Sequence, residues 1–283
     1  MARQRQRTIG SGRPSWFVYG ALAVVLVASM FPFYWSFLIG SGDSSTIYDQ
    51  NMSWWPGTNF IANVQTVIAN PAVNFWKALS NSIIVSSVTA VSTVILSTLA
   101  GYAFAKLRFK GSGPLLIAVI ATMAVPVQLG VVPLYIMMSK YGWTGSIGAV
   151  IVPALVTAFG VFWMTQYLSQ SLPTELIEAA RVDGCSMIRT FWHVALPAAR
   201  PAASMLALFT FVTTWNNFFW PFIVLDQSNP TLPVALSLLQ ANYFVDYSLV
   251  LAGVLLATLP LIVLFIFTGR QLIAGIMQGA VKG

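Results

Sequence analysis

Long apolar runs separated by short polar segments dominate the pattern of this chain. A helix rises about 1.5 Å per residue, so roughly 20 apolar residues cross the roughly 30 Å hydrocarbon layer of a membrane. Six predominantly apolar, charge-free intervals reach that length: residues 14–42, 78–105, 111–139, 141–174, 201–225 and 247–269. The pattern therefore predicts an all-α polytopic membrane protein with six transmembrane helices.

Helices are expected rather than barrel strands, because these runs lack the alternation of apolar and polar residues found in membrane-spanning strands. We place the six spans at about residues 17–39, 80–104, 115–137, 147–168, 204–225 and 247–268. The transmembrane domain is then residues 17–268, and short tails remain at residues 1–16 and 269–283.

Composition and charge agree with this class. Of the 283 residues, 57% are hydrophobic and only 7% are charged, whereas soluble domains have about 25% charged residues. The charged residues that give the net charge of +7 lie in the tails and between the spans, which argues against a nucleic-acid partner. Of the 14 lysines and arginines, 12 fall in the tails and in alternate segments between spans. The two exceptions are Lys77 and Lys140. The positive-inside rule therefore predicts that both termini are cytoplasmic.

The sequence offers little for catalysis. Cys185 is the only cysteine and His193 the only histidine, which argues against a disulfide and against a Cys/His zinc site. The chain also has no GxxxxGK[ST] phosphate loop, so we do not expect it to bind ATP in the Walker manner. We expect no enzyme activity, no metal and no cofactor on this chain.

The longest cytoplasmic segment, residues 169–203, begins with the signals of a short helix. Thr174 is a candidate N-cap. Glu175 and Glu178 lie in the first turns, where the helix dipole favours acidic groups. Gly184 can end this helix in a tight turn.

A second short helix is predicted after that turn. Ser186 is its candidate cap, and the helix runs from about Met187 to Val194. It is expected to end near Pro197, because proline cannot donate the next helical hydrogen bond. Both helices carry apolar side chains, so the segment is expected to need a partner.

Polar residues inside the spans are candidates for a substrate pathway. Amide groups suit the two-way hydrogen bonding of sugar hydroxyls, and aromatic rings suit the apolar faces of sugar rings. The candidates are Gln128 and Tyr135 in the third span, and Trp215, Asn216, Asn217 and Trp220 in the fifth. Hydrogen bonding between helices is the alternative use of such residues.

Several motifs together resemble one family. Glu178-Ala179-Ala180, Asp183-Gly184 and the later Leu196-Pro197 resemble the EAA motif of bacterial ABC importer permeases. Further similar strings are residues 74–82, Trp215-Asn216-Asn217 and the tail at residues 279–283. The chain resembles, over nearly its whole length, the smaller permease subunit of maltose-type carbohydrate importers.

This resemblance implies a multi-pass bacterial inner-membrane protein and a set of partners. The partners are a second, related permease, two ATP-binding subunits that carry ATP and Mg²⁺, and an extracytoplasmic sugar-binding protein. The residues implied to couple to the ATPases are Leu176, Ile177, Glu178, Ala179, Ala180, Asp183, Gly184 and Pro197. Leu176, Ile177 and the alanines are expected to seat the helix in the ATPase, and Glu178 to orient it. The tail residues implied to reach the ATPases are Gln278, Gly279, Lys282 and Gly283.

Two other classes of function stay open at this point. A gradient-driven secondary carrier would need titratable groups within the membrane, and the predicted spans have no charged residue near their middle. A membrane-embedded enzyme or assembly factor would need polar groups converging at one depth.

Overall fold

The computed structural model describes residues 15–43, 54–241 and 244–280, with side chains up to residue 269. Within these ranges the regular elements are helices, as predicted. They are α1 Trp16–Gly40, α2 Phe60–Ala69, α3 Phe75–Lys106, α4 Ser112–Thr122, α5 Val131–Lys140, α6 Gly148–Ile151, α7 Ala158–Ser171, α8 Thr174–Val182, α9 Met187–Thr190, α10 Leu196–Ala198, α11 Arg200–Trp215, α12 Phe219–Val224, α13 Leu232–Ser237 and α14 Tyr247–Ala280.

Four stretches in the described chain are long and apolar enough to cross a membrane unaided: Trp16–Gly40, Phe75–Lys106, Gly148–Ser171 and Tyr247–Gly269. Two pairs of helices, each bent sharply at a short break, bring the number of such stretches to as many as six if each pair counts as one. Ser112–Thr122 and Val127–Lys140 meet at 92°, and Met187–Ala198 and Arg200–Trp215 meet at 79°. The expected all-α membrane architecture is confirmed, while the cytoplasmic placement of both termini stays a prediction.

The third predicted span, residues 115–137, is sharply bent rather than continuous. The helix α4 ends at Thr122, and a 3-10 turn at Val127–Gly130 leads into α5. Pro126 stands between them and has no backbone N–H to donate to the carbonyl of Thr122, which explains the break.

The fifth predicted span, residues 204–225, is also interrupted, and this corrects the expectation of one helix through it. The helix α11 ends at Trp215, and the short α12 begins only at Phe219. Pro221 lies in the first turn of α12 and cannot donate to the carbonyl of Asn217. The helix therefore stops and restarts around Asn216 and Asn217.

The helix α3 lies at the centre of the bundle and packs against α7 and α11. Its small and hydroxylated residues are buried as a contact face. They are Ser82, Ser86, Thr89, Thr93, Ser97 and Thr98. Among them, the Thr93 hydroxyl donates to the carbonyl of Ala154 at 3.2 Å. Short side chains thus let the neighbouring backbones approach the central helix.

The first helix contributes little to this core. Residues 16–34 of α1 are exposed, and α1 meets the bundle near its end, where Gly40 approaches the backbone of Ala252 in α14. A Cβ atom on Gly40 would fall 3.0 Å from the Ala252 nitrogen. Most of α1 is therefore available to lipid or to another transmembrane subunit.

Candidate functional site

The segment at residues 169–203 forms the two short helices that the sequence predicted, with one correction at the start. The helix α8 begins at Thr174, and its N-cap is Pro173, so Thr174 is not the cap. Pro173 has the extended backbone (ψ 140°) that an N-cap needs, which places Thr174 already inside the helix. Glu175 lies in the first turn, as expected.

The turn after α8 is set by Gly184. The N–H of Cys185 donates to the carbonyl of Ala180 at 2.9 Å, and the N–H of Gly184 donates to the carbonyl of Arg181 at 3.0 Å. This pair of bonds is the Schellman motif, which needs a left-handed residue after the helix. Gly184 has φ +76°, a value that L-residues with a side chain adopt only at a cost. The predicted helix end at this glycine is confirmed.

The second helix begins as predicted but continues further. The Ser186 hydroxyl accepts a hydrogen bond from the N–H of Arg189 at 3.4 Å. The helix then widens into a π-helical stretch at Phe191–Ala195 and passes through Pro197 to Ala198, where it bends into α11. The helix therefore runs past Val194, and its end at Ala198 lies next to Pro197, near the predicted end.

Buried residues fix both short helices to the bundle. Ile177 is only 3% exposed, and Phe191 packs near Tyr102 of α3 with ring centroids 6.1 Å apart. Ala180 is also buried. Ile177 and Ala180 were expected to seat α8 in a partner, but they face the interior of their own bundle. Their burial corrects that assignment, because a side chain cannot pack on both sides at once.

The two short helices carry four exposed apolar residues, which we call the loop patch. It consists of Leu176, Val182, Met187 and Ile188, with exposures from 51% to 88%. Glu178, Ala179 and Asp183 are exposed beside it. Val182 was not among the predicted residues, although its position next to the Gly184 turn could have indicated it. Exposed apolar residues grouped in this way indicate an interaction surface.

The single histidine and the single cysteine both lie in this segment. The Nδ1 atom of His193 lies 3.0 Å from the carbonyl oxygen of Arg189, one turn earlier in the same segment. Cys185 is a free thiol beside the turn. In the part of the chain that the structure describes, no three His, Cys, Asp or Glu residues are grouped to hold a metal ion.

The two tryptophans proposed for the substrate pathway have structural partners instead. The indole N–H of Trp215 donates to the carbonyl of Ala257 at 3.3 Å, and Trp215 is 3% exposed. The indole N–H of Trp220 donates to the carbonyl of Ala149 at 3.0 Å. Trp215 is therefore packed between helices, and it also lines a cavity next to Asn216.

Asn216 borders a cavity of about 430 Å³ between α11, α13 and α14, which we call the α14 cavity. Its side-chain amide donates to the carbonyl of Val212 at 2.9 Å. Three further polar residues that the sequence did not single out for the pathway line this cavity: Ser237, Gln240 and Thr258. They come from segments distant in sequence, so no local pattern could have grouped them with Asn216.

The remaining pathway candidates are not brought together with Asn216. Gln128 and Tyr135 are exposed on the bent third span, and neither lines the α14 cavity. Asn217 is half-buried and also lies outside the cavity lining. The predicted set is thus dispersed over several faces of the bundle.

The predicted tail contacts fall at the end of the described chain. Gln278 and Gly279 continue the α14 helix, but their side chains lie outside the described residues. Lys282 and Gly283 lie outside them altogether.

The loop that follows α12 is ordered by one carboxylate group. The Oδ1 atom of Asp226 accepts hydrogen bonds from the Ser228 hydroxyl at 2.6 Å and the Ser228 N–H at 2.9 Å. The hydroxyl bond is the main reason that the pKa of Asp226 lies below its ordinary value. Asn229 then donates to the carbonyl of Gly145 at 3.1 Å, which ties this loop to the segment before α6.

Comparison with known proteins gives consistent results. Residues 93–272 match the family described as binding-protein-dependent transport system inner membrane component. The arabinooligosaccharides transport system permease protein AraQ of Halalkalibacterium halodurans is 35% identical over 246 residues, which cover 82% of this chain and 88% of AraQ. The lactose transport system permease protein LacG of Rhizobium radiobacter is 32% identical over 268 residues, which cover 93% of this chain and 95% of LacG.

A solved structure agrees on the fold. In the crystal structure of a bacterial ABC transporter involved in the import of the acidic polysaccharide alginate, one chain superposes with a TM-score of 0.75 and 20% sequence identity. The match covers 92% of this chain and 99% of that chain. At this identity the likeness supports the architecture described above.

Proposed function

The chain belongs to the family of binding-protein-dependent transport system inner membrane components, and from this premise we propose that it is a permease subunit of an ATP-driven importer for a sugar or oligosaccharide. The names of its relatives AraQ and LacG support a carbohydrate as the substrate class. The absence of charged residues from the middle of the predicted spans agrees with a neutral substrate.

One observation carries the proposal: the loop patch is exposed on a segment whose inner side is fixed to the bundle. Ile177 and Phe191 are buried, while Leu176 and Ile188 are exposed. A partner that binds this surface and moves can therefore displace the helices to which the segment is fixed. We propose that an ATP-binding subunit docks here.

Apolar contact can hold a partner on the loop patch more firmly than a surface ion pair can. Shifting a two-state transporter from 1:99 to 99:1 requires about 5.5 kcal/mol of differential interaction. A surface ion pair made by Glu178 would supply only about 0–1 kcal/mol. Burying roughly 200 Å² of apolar surface at about 25 cal/mol per Å² supplies about 5 kcal/mol. We therefore assign the seating to the exposed apolar residues and the orientation to Glu178.

The route of transmission follows the backbone. The second helix of the loop continues from Met187 to Ala198 and then bends by 79° into α11. Because α11 packs against α3 and α14, a displacement of the loop patch reaches three transmembrane elements. Movement of packed helices in this way is a known route of alternating access.

The proposed assembly contains a second, related permease, two ATP-binding subunits with ATP and Mg²⁺, and an extracytoplasmic binding protein. The exposed length of α1 offers a surface for the second permease or for lipid. The tail at residues 278–283 is proposed to reach the ATP-binding subunits. The α14 cavity, with Asn216 at its edge, is the proposed point where this chain borders the substrate pathway.

Reconstitution tests the proposal. The chain is purified with its native partners and placed in proteoliposomes, and uptake of a panel of radiolabelled neutral oligosaccharides is measured with and without ATP. We expect ATP-dependent uptake by the complex and none by the chain alone. Uptake by the chain alone, driven by an ion gradient, would instead establish a secondary carrier.

A further inference from the structure

A cavity of about 590 Å³ lies where α3 turns into α4, and it shares no lining residue with the α14 cavity. The cavity is lined by three cationic side chains at alternate positions along the turn. Two hydroxyl groups, each from the first residue of a helix, also line it. These residues, which we call the basic cradle, are Lys106, Arg108, Lys110, Ser112 and Thr174. None of the residues that line the cavity is acidic. The cradle is therefore a concave site lined by three positive charges.

One of the three cations in the cradle is held by a hydrogen bond, and the other two are exposed. The Nζ atom of Lys106 donates to the carbonyl of Ser169 at 3.3 Å, which holds this half-buried side chain against the end of α7. Arg108 and Lys110 are exposed at the rim. Arginine can donate two parallel hydrogen bonds to a phosphate, and lysine supplies a point charge. The chemistry of the site thus suits a phosphate group.

The position of the cradle favours a lipid as the source of that phosphate. Lys106 is the last residue of one apolar helix and Ser112 the first residue of the next. The turn between them therefore lies at a membrane surface, at the level of the phospholipid headgroups. Phe104 and Phe109, with ring centroids 5.8 Å apart, also line the cavity and provide an apolar wall beside the charges.

We propose that the basic cradle binds the phosphate of an anionic phospholipid headgroup, with the acyl chains lying in the bilayer beside Phe109. The side chains of Arg108 and Lys110 contact the phosphate, and Lys106 keeps the turn in place. The hydroxyls of Ser112 and Thr174 are available as further donors. This binding does not depend on the transported substrate or on ATP.

Native mass spectrometry of the full chain tests this inference. The protein is purified in detergent with equal amounts of phosphatidylglycerol and phosphatidylcholine, and the retained lipids are counted. The test variant is Arg108→Gln with Lys110→Gln. The matched control, Arg200→Gln, removes an exposed cation that does not line the cradle. The pair Arg108→Lys with Lys110→Arg keeps both charges.

We expect the wild type to retain phosphatidylglycerol in preference to phosphatidylcholine. Each cation removed should weaken retention about fivefold, because one basic residue near an anionic membrane surface contributes roughly that factor. The Arg200→Gln control and the charge-preserving pair should retain the lipid. Unchanged retention in the Arg108→Gln, Lys110→Gln variant, with helix content intact by circular dichroism, would overturn the proposal.

A second arm separates lipid from soluble phosphate. Inorganic phosphate at millimolar concentration is added to the lipid-loaded protein before measurement. Retention of the lipid supports the headgroup as the ligand. Displacement of the lipid, with binding of inorganic phosphate that depends on Arg108, would identify a soluble anion site and overturn the assignment to lipid.

Discussion

A Cβ atom on Gly101 would fall 2.8 Å from the carbonyl carbon of Met164, so α3 and α7 are in backbone contact where they cross. Met164 is fully buried at this point. In lipid, helices associate through close packing rather than through the exclusion of water, and small residues allow that packing. The crossing at Gly101 is therefore a main determinant of how the central helix is held.

Gly101→Ala is expected to destabilise the bundle, because the new methyl group meets backbone atoms that cannot move aside. Overpacking of this kind costs about 1–3 kcal/mol. Thermal unfolding in detergent, followed by circular dichroism, measures the effect. Gly113→Ala is the control, because a Cβ atom at Gly113 meets nothing within 4 Å. Equal stability of the two variants would show that α3 and α7 separate easily.

Leu176→Ala and Ile177→Ala are expected to affect different properties, although the two residues are neighbours. Ile177 is buried, so its truncation should lower the free energy of unfolding by about 2–5 kcal/mol. Leu176 is 51% exposed, so its truncation should change stability by less than about 0.5 kcal/mol. Leu176→Ala should instead weaken co-purification of the ATP-binding subunits.

Thermal unfolding and co-purification are therefore measured for both variants. The assignment of the loop patch fails if Leu176→Ala destabilises the chain as much as Ile177→Ala does. It also fails if Leu176→Ala leaves the ATP-binding subunits fully attached.

Features that depend on the local sequence were predictable. The end of α8 at Gly184 follows from one glycine, and four long spans and two bent pairs follow the apolar pattern of the sequence. Leu176 and Ile177 are equally apolar in sequence, and only the packing of α8 on the bundle decides which of them is buried. Trp215 could not be assigned either, because its partner, the carbonyl of Ala257, is 42 residues away.

The loop after α12 is expected to loosen in acid. The pKa of Asp226 is lowered in the folded chain, so its contribution to stability is present above the ordinary value and is lost as the pH falls through the lowered one. Hydrogen exchange of the Ser228 and Asn229 amides should therefore remain slow at pH 5 and accelerate, after correction for intrinsic rates, well below pH 4. Asp226→Ala should show the fast rate at every pH. Slow exchange in that variant would mean that other contacts order the loop.

The orientation of the chain can be tested with its single cysteine. Cys185 lies in the segment that the positive-inside rule assigns to the cytoplasm, and it is partly exposed. A membrane-impermeant maleimide should leave Cys185 unlabelled in intact cells and label it after the membrane is opened. A Cys185→Ser variant with a new cysteine at Lys140 should show the reverse pattern. Labelling of Cys185 in intact cells would invert the predicted topology.

Gly184 joins the two helices that carry the loop patch, and substitution there should separate coupling from folding. A side chain at Gly184 meets nothing within 4 Å, so only the backbone angle of +76° opposes it. Asparagine tolerates that angle, whereas valine pays about 1–2 kcal/mol in a left-handed conformation. Proline cannot adopt it and also removes the N–H that bonds to Arg181. We expect Gly184→Asn to keep ATP-driven uptake, Gly184→Val to reduce it, and Gly184→Pro to abolish it while the complex still hydrolyses ATP. Uptake by Gly184→Pro at the wild-type rate would show that the turn does not transmit the motion.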